Sequence, residues 1–208
     1  MWSLVRARGR TEVTVAAYAR CVAKGACTEP DAYDEKARQW CNWKRAGRDD
    51  DPINCVDHAQ AAAYCAFVGG RLPSEAEWEW SARGYEQATT YPWGSDEPAG
   101  RACWDGPGNQ VSDEREGTCP VGSFKDGANP KGVLDLAGNV WEWTSTESGG
   151  KAIDKGGGYP NAVSSRLAAK DRNAVDKAQR SSTLGFRCVR TPSPPVLAGR
   201  LAALCFRA

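Results

Sequence analysis

The sequence predicts an α+β domain, on three observations. Segments with helix start and stop signals cluster before residue 84. Beyond it, Gly, Pro, Asn and Trp break the chain into short pieces that suit strands and structured loops. The composition, with 22 Gly, 9 Trp and 9 Cys against one Met and one His, fits a loop-rich domain held by aromatic packing and disulfides better than a helical bundle.

Each element has a local reason. Thr14 can N-cap a helix over 15–24, with Gly25 beyond its end. Asp57 can cap a second helix, AQAAAYCAFV (59–68), that stops at Gly69-Gly70. Ser74 followed by Glu77 has capping-box spacing at the head of EAEWEWSAR (75–83), and Gly84 supplies the stop. In NVWEWTS (139–145), Val140, Glu142 and Thr144 alternate with Trp141, Trp143 and Ser145, the period of a strand with unlike faces. LGFRCVR (184–190) reads as a short closing strand, and the Pro-rich stretch after Arg190 ends the domain.

Composition also excludes function classes. The 208 residues suffice for one domain with a sizeable core. Lys plus Arg (27) nearly cancel Asp plus Glu (26), so there is no positive field to hold nucleic acid or an anionic membrane. No apolar run reaches the length of a membrane span, and MWSLVRARGR shows no apolar signal-peptide core. The cysteines are Cys21, Cys27, Cys41, Cys55, Cys65, Cys103, Cys119, Cys188 and Cys205, with no C-x-x-C among them. With His58 as the lone histidine, disulfides are better supported than zinc, and they favour an extracytoplasmic, oxidising location.

Four segments stand in a recognisable order: GGRLPSEAEWEWSARG (69–84), YPWG (91–94), GVLDLAGNVWEWTS (132–145) and KGGGY…LGFRCVR (155–190). Together they resemble the formylglycine-generating-enzyme, or sulfatase-modifying-factor, family over residues 11–190. The resemblance implies that family's variant of the C-type-lectin fold, with a mixed short-stranded sheet and little regular secondary structure. Residues 1–10 are then an N-terminal extension or what is left of a truncated domain start, and 191–208 a Pro-rich tail.

The resemblance further implies a disulfide between Cys65 and Cys188. Cys103 and Cys119, flanking an Asp- and Gly-rich loop, are the next expected pair. Cys21, Cys27, Cys41 and Cys55 allow three connectivities, and Cys205 is left over. Carried over residue by residue, the family's calcium site falls on Asp135, the carbonyls of Gly138 and Val140, and Glu142, an oxygen set suited to Ca²⁺. The competing reading is a surface Asp and a strand Glu that pair with Arg or Lys. A second, weaker calcium site retains the Cys103 carbonyl, Asp113 and the Arg115 carbonyl, but Ala102 stands where the family has Asn.

Active members oxidise a substrate cysteine using two cysteines that bind Cu(I), a soft ion suited to thiolates. Here those positions fall on Asn161 and Arg166, no cysteine occurs between Cys119 and Cys188, and Gly158 replaces the motif's serine. No copper is expected. The related sulfoxide synthases of the ergothioneine type need several histidines, which one His58 cannot supply, so His58 is read as packing or capping. Ser164 and Ser165 lack a nearby base, and Glu75, Glu77 and Glu79 read as a solvated first helical turn. Tyr159, Asn161 and Arg166 line the remnant of the cleft or are ordinary loop residues. The expected function is a pseudoenzyme, a calcium-stabilised module that recognises a peptide, glycan or protein. The alternative is a family enzyme with altered, oxidative chemistry in the retained cleft.

Overall fold

The helices begin where a side-chain oxygen accepts from a first-turn amide that has no carbonyl partner of its own. In the computed structural model, which describes residues 9–32, 34, 40–107 and 117–190, Thr14 caps Val15–Ala23 (α1) by accepting from the Ala17 amide. Asp57 with Gln60, and Ser74 with Glu77, form reciprocal capping boxes at the heads of His58–Phe67 (α2) and Glu75–Ala82 (α3). Each helix ends one residue short of the sequence expectation, with one capping residue before a left-handed glycine: Gly25, Gly69 and Gly84 have φ of 69°, 71° and 67°.

The strands are Gly70–Arg71 (β1), Trp141–Ser148 (β2), Lys151–Lys155 (β3), Arg172–Val175 (β4), Leu184–Gly185 (β5) and Val189–Arg190 (β6). Four of them form a mixed sheet in the order β4-β3-β2-β5, antiparallel except for the parallel β2–β5 pair, while β1 pairs antiparallel with β6. LGFRCVR is therefore two strand pieces and not one. Between them the Phe186 carbonyl accepts from Val13, and the Arg187 side chain turns into the interior.

The alternation in NVWEWTS does not separate a wet face from a dry one, since Trp141, Glu142, Trp143 and Thr144 are all buried. Both faces of β2 are covered. Trp143 meets His58 of α2 edge-on at 5.5 Å and donates its indole N–H to the Val56 carbonyl, while Glu142 faces Trp78 of α3. His58 itself lies against the Thr144 carbonyl at 2.9 Å, a packing role. The main core joins α1 and α2 to β2 through Tyr18, Trp43, Ile53, Tyr64, Trp143 and Phe186. Two smaller apolar clusters sit around Trp104 and Leu167 and around Trp78 and Leu136.

Four disulfides brace this frame: Cys21–Cys27, Cys41–Cys55, Cys65–Cys188 and Cys103–Cys119. Cys65–Cys188 ties α2 to the residue before β6 with Cα atoms 5.4 Å apart across a sequence separation of 123. Closing so long a loop restricts the unfolded chain by roughly 5 kcal/mol on the chain-entropy account. Cys205, with the rest of the tail, lies outside the described residues, as do Asp113 and Arg115. No helix among the described residues is long and apolar enough to cross a membrane.

Candidate functional site

A buried ionic cluster lies where the loop before β2 meets the chain after β5. Arg187 donates from Nε and Nη2 to the two oxygens of Glu142, both at 2.6 Å, and the indole of Trp78 donates to Glu142 Oε2 at 2.8 Å. The same Nη2 also donates to the carbonyls of Leu134 and Asp135, at 3.0 and 2.7 Å. Glu142 thus has a bidentate arginine partner, the geometry that best repays the cost of burying both charges. Asp135 sits at φ 56° and accepts the Gly122 amide at 2.7 Å. Gly138, at φ 81°, passes so close to Cys103 that an added Cβ would lie 2.4 Å from the Cys103 carbonyl oxygen. Only glycine fits that bend.

The cluster has a third acid that sequence reading missed. Glu12 is 3% exposed, and its carboxylate accepts from the Asn139 side-chain amide at 2.8 Å and from the Val140 amide at 3.3 Å. Burial pushes its carboxyl well above the usual range, and the nearby Asp135 and Glu142 charges add to the shift. Burial likewise raises Asp135 to about 6, against the opposing pull of Arg187 and the Gly122 amide. Arg187, despite burial, is held above the usual arginine range by Glu142, with Glu12 and Asp135 contributing. Two buried carboxyls, Glu12 and Glu142, and the half-buried Asp135 therefore lie near one buried guanidinium, which pairs with Glu142. A hard cation at the loop bent at Asp135, Gly138 and Asn139 would have to rely on Asp135 and backbone carbonyls, since among the described residues no group of three or more acid, histidine or cysteine side chains is arranged for a metal. Both Glu142 oxygens are already committed, so Asp135 is the less encumbered donor. A warning of Arg187 did exist in sequence, because it stands between Phe186 and Cys188, where a charge needs a partner.

The second region is the loop after β3, where the sequence predicts either a cleft or an ordinary loop. The Gly158 amide donates to the Asn161 side chain at 2.7 Å, and the Asn161 carbonyl accepts from Asp105. The Arg166 guanidinium lies over the Trp141 ring at 4.9 Å, contacts Asp171 at 2.9 Å and donates to Asn173 at 2.9 Å. Tyr159 holds the loop through its backbone amide, which donates to the Asn139 carbonyl at 2.7 Å; its hydroxyl is 3.4 Å from Ser182. Behind Asn173 lies buried Asp154, which accepts two hydrogen bonds from it. The structure thus brings Tyr159, Asn161 and Arg166 to one loop, each in internal contacts. All eight cysteines among the described residues are disulfide-bonded. This donor set does not fit a thiolate-bound copper ion.

The glutamates of α3 are paired and not solvated. Glu77 makes a bidentate contact with Arg71 at 2.6 Å, Glu75 holds Arg172 at 2.9 Å, and Glu79 holds the fully buried Lys155 at 2.9 Å. The Arg71 contact pulls the Glu77 carboxyl down to about 2. Their partners lie on β1, β3 and β4, so helix periodicity alone could not show them.

Residues 8–192 match the family described as the sulfatase-modifying factor enzyme 1-like domain. The formylglycine-generating enzyme of Mus musculus is 36% identical over 175 residues, which cover 71% of this chain and 46% of that protein. The inactive C-alpha-formylglycine-generating enzyme 2 of Bos taurus is 36% identical over 159 residues, 69% of this chain and 52% of the relative. The chain spans about half the length of these curated relatives. Among solved structures, PvdO from Pseudomonas aeruginosa superposes with a TM-score of 0.65 at 26% identity, covering 87% of this chain and 78% of its own. The Major Tropism Determinant U1 variant aligns with a TM-score of 0.52 at 14% identity over 88% of this chain and 49% of its own, a likeness of fold alone. The architecture is the formylglycine-generating-enzyme variant of the C-type-lectin fold.

Proposed function

This chain belongs to the sulfatase-modifying factor enzyme 1-like family, and within it we propose a non-catalytic member: a calcium-stiffened domain that recognises a peptide, glycan or protein outside the cytoplasm. One observation carries the reading. Asn161 and Arg166, the positions that the resemblance assigns to the family's copper-binding thiols, are both built into the loop by hydrogen bonds and an ion pair. A side chain committed to its own loop is poorly placed to relay electrons or bind a soft metal. A relative that is itself described as inactive, at 36% identity, makes such a member unexceptional.

Calcium belongs to the same proposal. Asp135 and Glu142 with the Gly138 and Val140 carbonyls would hold it, and Glu12 would add neutralising charge from the second layer. The ion would supply rigidity and charge balance, not chemistry. The four disulfides support an oxidising compartment. The deciding experiment offers the purified, oxidised protein a cysteine-containing sulfatase-motif peptide with Cu(I) and oxygen. No aldehyde product above the enzyme-free control is expected by mass spectrometry. Conversion of the thiol to the carbonyl would overturn the reading.

A further inference from the structure

A polar recess of about 220 Å³ is lined by Arg83, Ala88, Thr89, Thr90 and Lys170, the last next in the chain to the Asp171 that holds Arg166. Its walls come from the loop after α3 and the loop before β4, stitched together where the Ala169 amide donates to the Thr90 carbonyl at 2.9 Å. No carboxylate lines it. Around it, Glu75 and Glu79 are shared among three cations, Lys155, Arg172 and Arg83. Arg83 has the weakest share, a 3.3 Å contact to an oxygen of Glu79, whose other oxygen is held by Lys155. Lys170 is exposed and has no partner among the described residues, nor has the Thr90 hydroxyl. The recess therefore holds one cation without an acid partner, Lys170, a second, Arg83, that shares Glu79 with Lys155 and also donates to the Ala88 carbonyl at 3.5 Å, and the Thr90 hydroxyl as a free donor.

The backbone around it is held in an unusual shape. Gly84, Tyr85 and Ala88 all adopt left-handed φ, at 67°, 65° and 53°. For Tyr and Ala this conformation is strained, and strain of this kind tends to persist where a loop is positioned for a task. The Arg83 carbonyl accepts from the Thr89 amide at 3.0 Å, and the Thr89 hydroxyl donates to the Tyr91 carbonyl at 2.7 Å, so the turn is fixed before any ligand arrives.

We propose that this recess binds a tetrahedral oxyanion, the sulfate or phosphate group of a small ligand, between Lys170 and Arg83 with the Thr90 hydroxyl as a further donor. Two charge-assisted contacts and one neutral one suit an oxygen-rich dianion better than a halide or a single carboxylate. The reading is independent of calcium binding and of what the cleft does.

The test is amide chemical-shift mapping on isotope-labelled, oxidised protein in chelator. Inorganic sulfate, inorganic phosphate and methyl phosphate are each titrated against sodium chloride of equal ionic strength. Saturable shifts confined to residues 88–90 and 170, seen with the oxyanions and not with chloride, are expected. Lys170→Ala should weaken binding about tenfold while leaving the melting temperature in chloride unchanged, and Arg83→Gln should weaken it similarly at a small cost in stability from its lost pair with Glu79. Lys151→Ala, an exposed lysine elsewhere, should bind as the parent does. Tighter binding of methyl phosphate than of the free ion would assign the site to an ester ligand, and the reverse order to the free ion. Shifts no larger than those with chloride, or a Lys170→Ala protein that binds as well as the parent, would overturn the proposal.

Discussion

Arg187 and Arg166 each hold a carboxylate, at 2.6 and 2.9 Å, but the first side chain is 4% exposed and the second 41%. Arg187 reaches Glu142 inside the domain and ties the chain after β5 to β2, to Trp78 of α3 through the shared carboxylate, and to the loop at Leu134 and Asp135. Arg166 stays within its own neighbourhood, spanning Trp141, Asp171 and Asn173 at the cleft surface. An ion pair's worth depends on how much water it has lost, and on what stays behind when one partner is removed. The interior cluster therefore acts as a fastening of the whole domain, whereas the cleft pair can change without the fold noticing.

The strongest way to break the contrast is Glu142→Gln. It leaves the buried Arg187 without its charge partner and should cost about 3–5 kcal/mol by chemical denaturation, in chelator as well as in calcium. Asp135→Asn sharpens the same question, since Asp135 makes no ion pair with Arg187 among the described residues and its carboxyl is already raised to about 6 by burial, so that variant should melt no lower than the parent in chelator. It should lose most of the calcium-dependent gain, about 2.7 kcal/mol at a hundredfold excess over Kd. Equal melting of the parent protein with and without calcium would remove the metal from the account and leave the arginine alone as the fastening.

A smaller effect is expected at Asp154, behind the cleft. Burial raises its carboxyl to about 6, although the two hydrogen bonds from Asn173 pull the other way. A carboxyl with a folded pKa above its unfolded one weakens the fold as it ionises. Its penalty is therefore absent below about pH 4, grows as the pH rises towards 6 and persists above. Asp154→Asn keeps an acceptor for Asn173 and removes the charge. It should gain on the order of 2 kcal/mol at neutral pH and nothing at pH 4, and a pH-independent difference would show that the effect is not titration. The smallest effect is Arg166→Ala. Loss of a half-exposed pair and a ring contact should cost no more than about 1 kcal/mol in the same denaturation assay. A cost like that of Glu142→Gln would erase the distinction between the two regions.

Much of the scaffold was legible because its signals are local. Thr14, Asp57 and Ser74 act on amides within three residues of themselves, and the glycines that follow each helix adopt left-handed turns without help from the rest of the chain. The motif-bearing segments between 69 and 190 likewise carried the family and the fold. Tertiary structure alone decided who meets whom. Glu142 could have faced a metal, water or a lysine; its partner Arg187 lies 45 residues away. Glu12 enters the cluster by bonding Asn139 across 127 residues. Lys155 is fully buried only because Glu75 and Glu79 of α3 are brought over β3. Hydrogen bonds and capping follow spacing along the chain. The pairing of buried charges follows from which surfaces lose their water together, and one sequence read in order does not contain that.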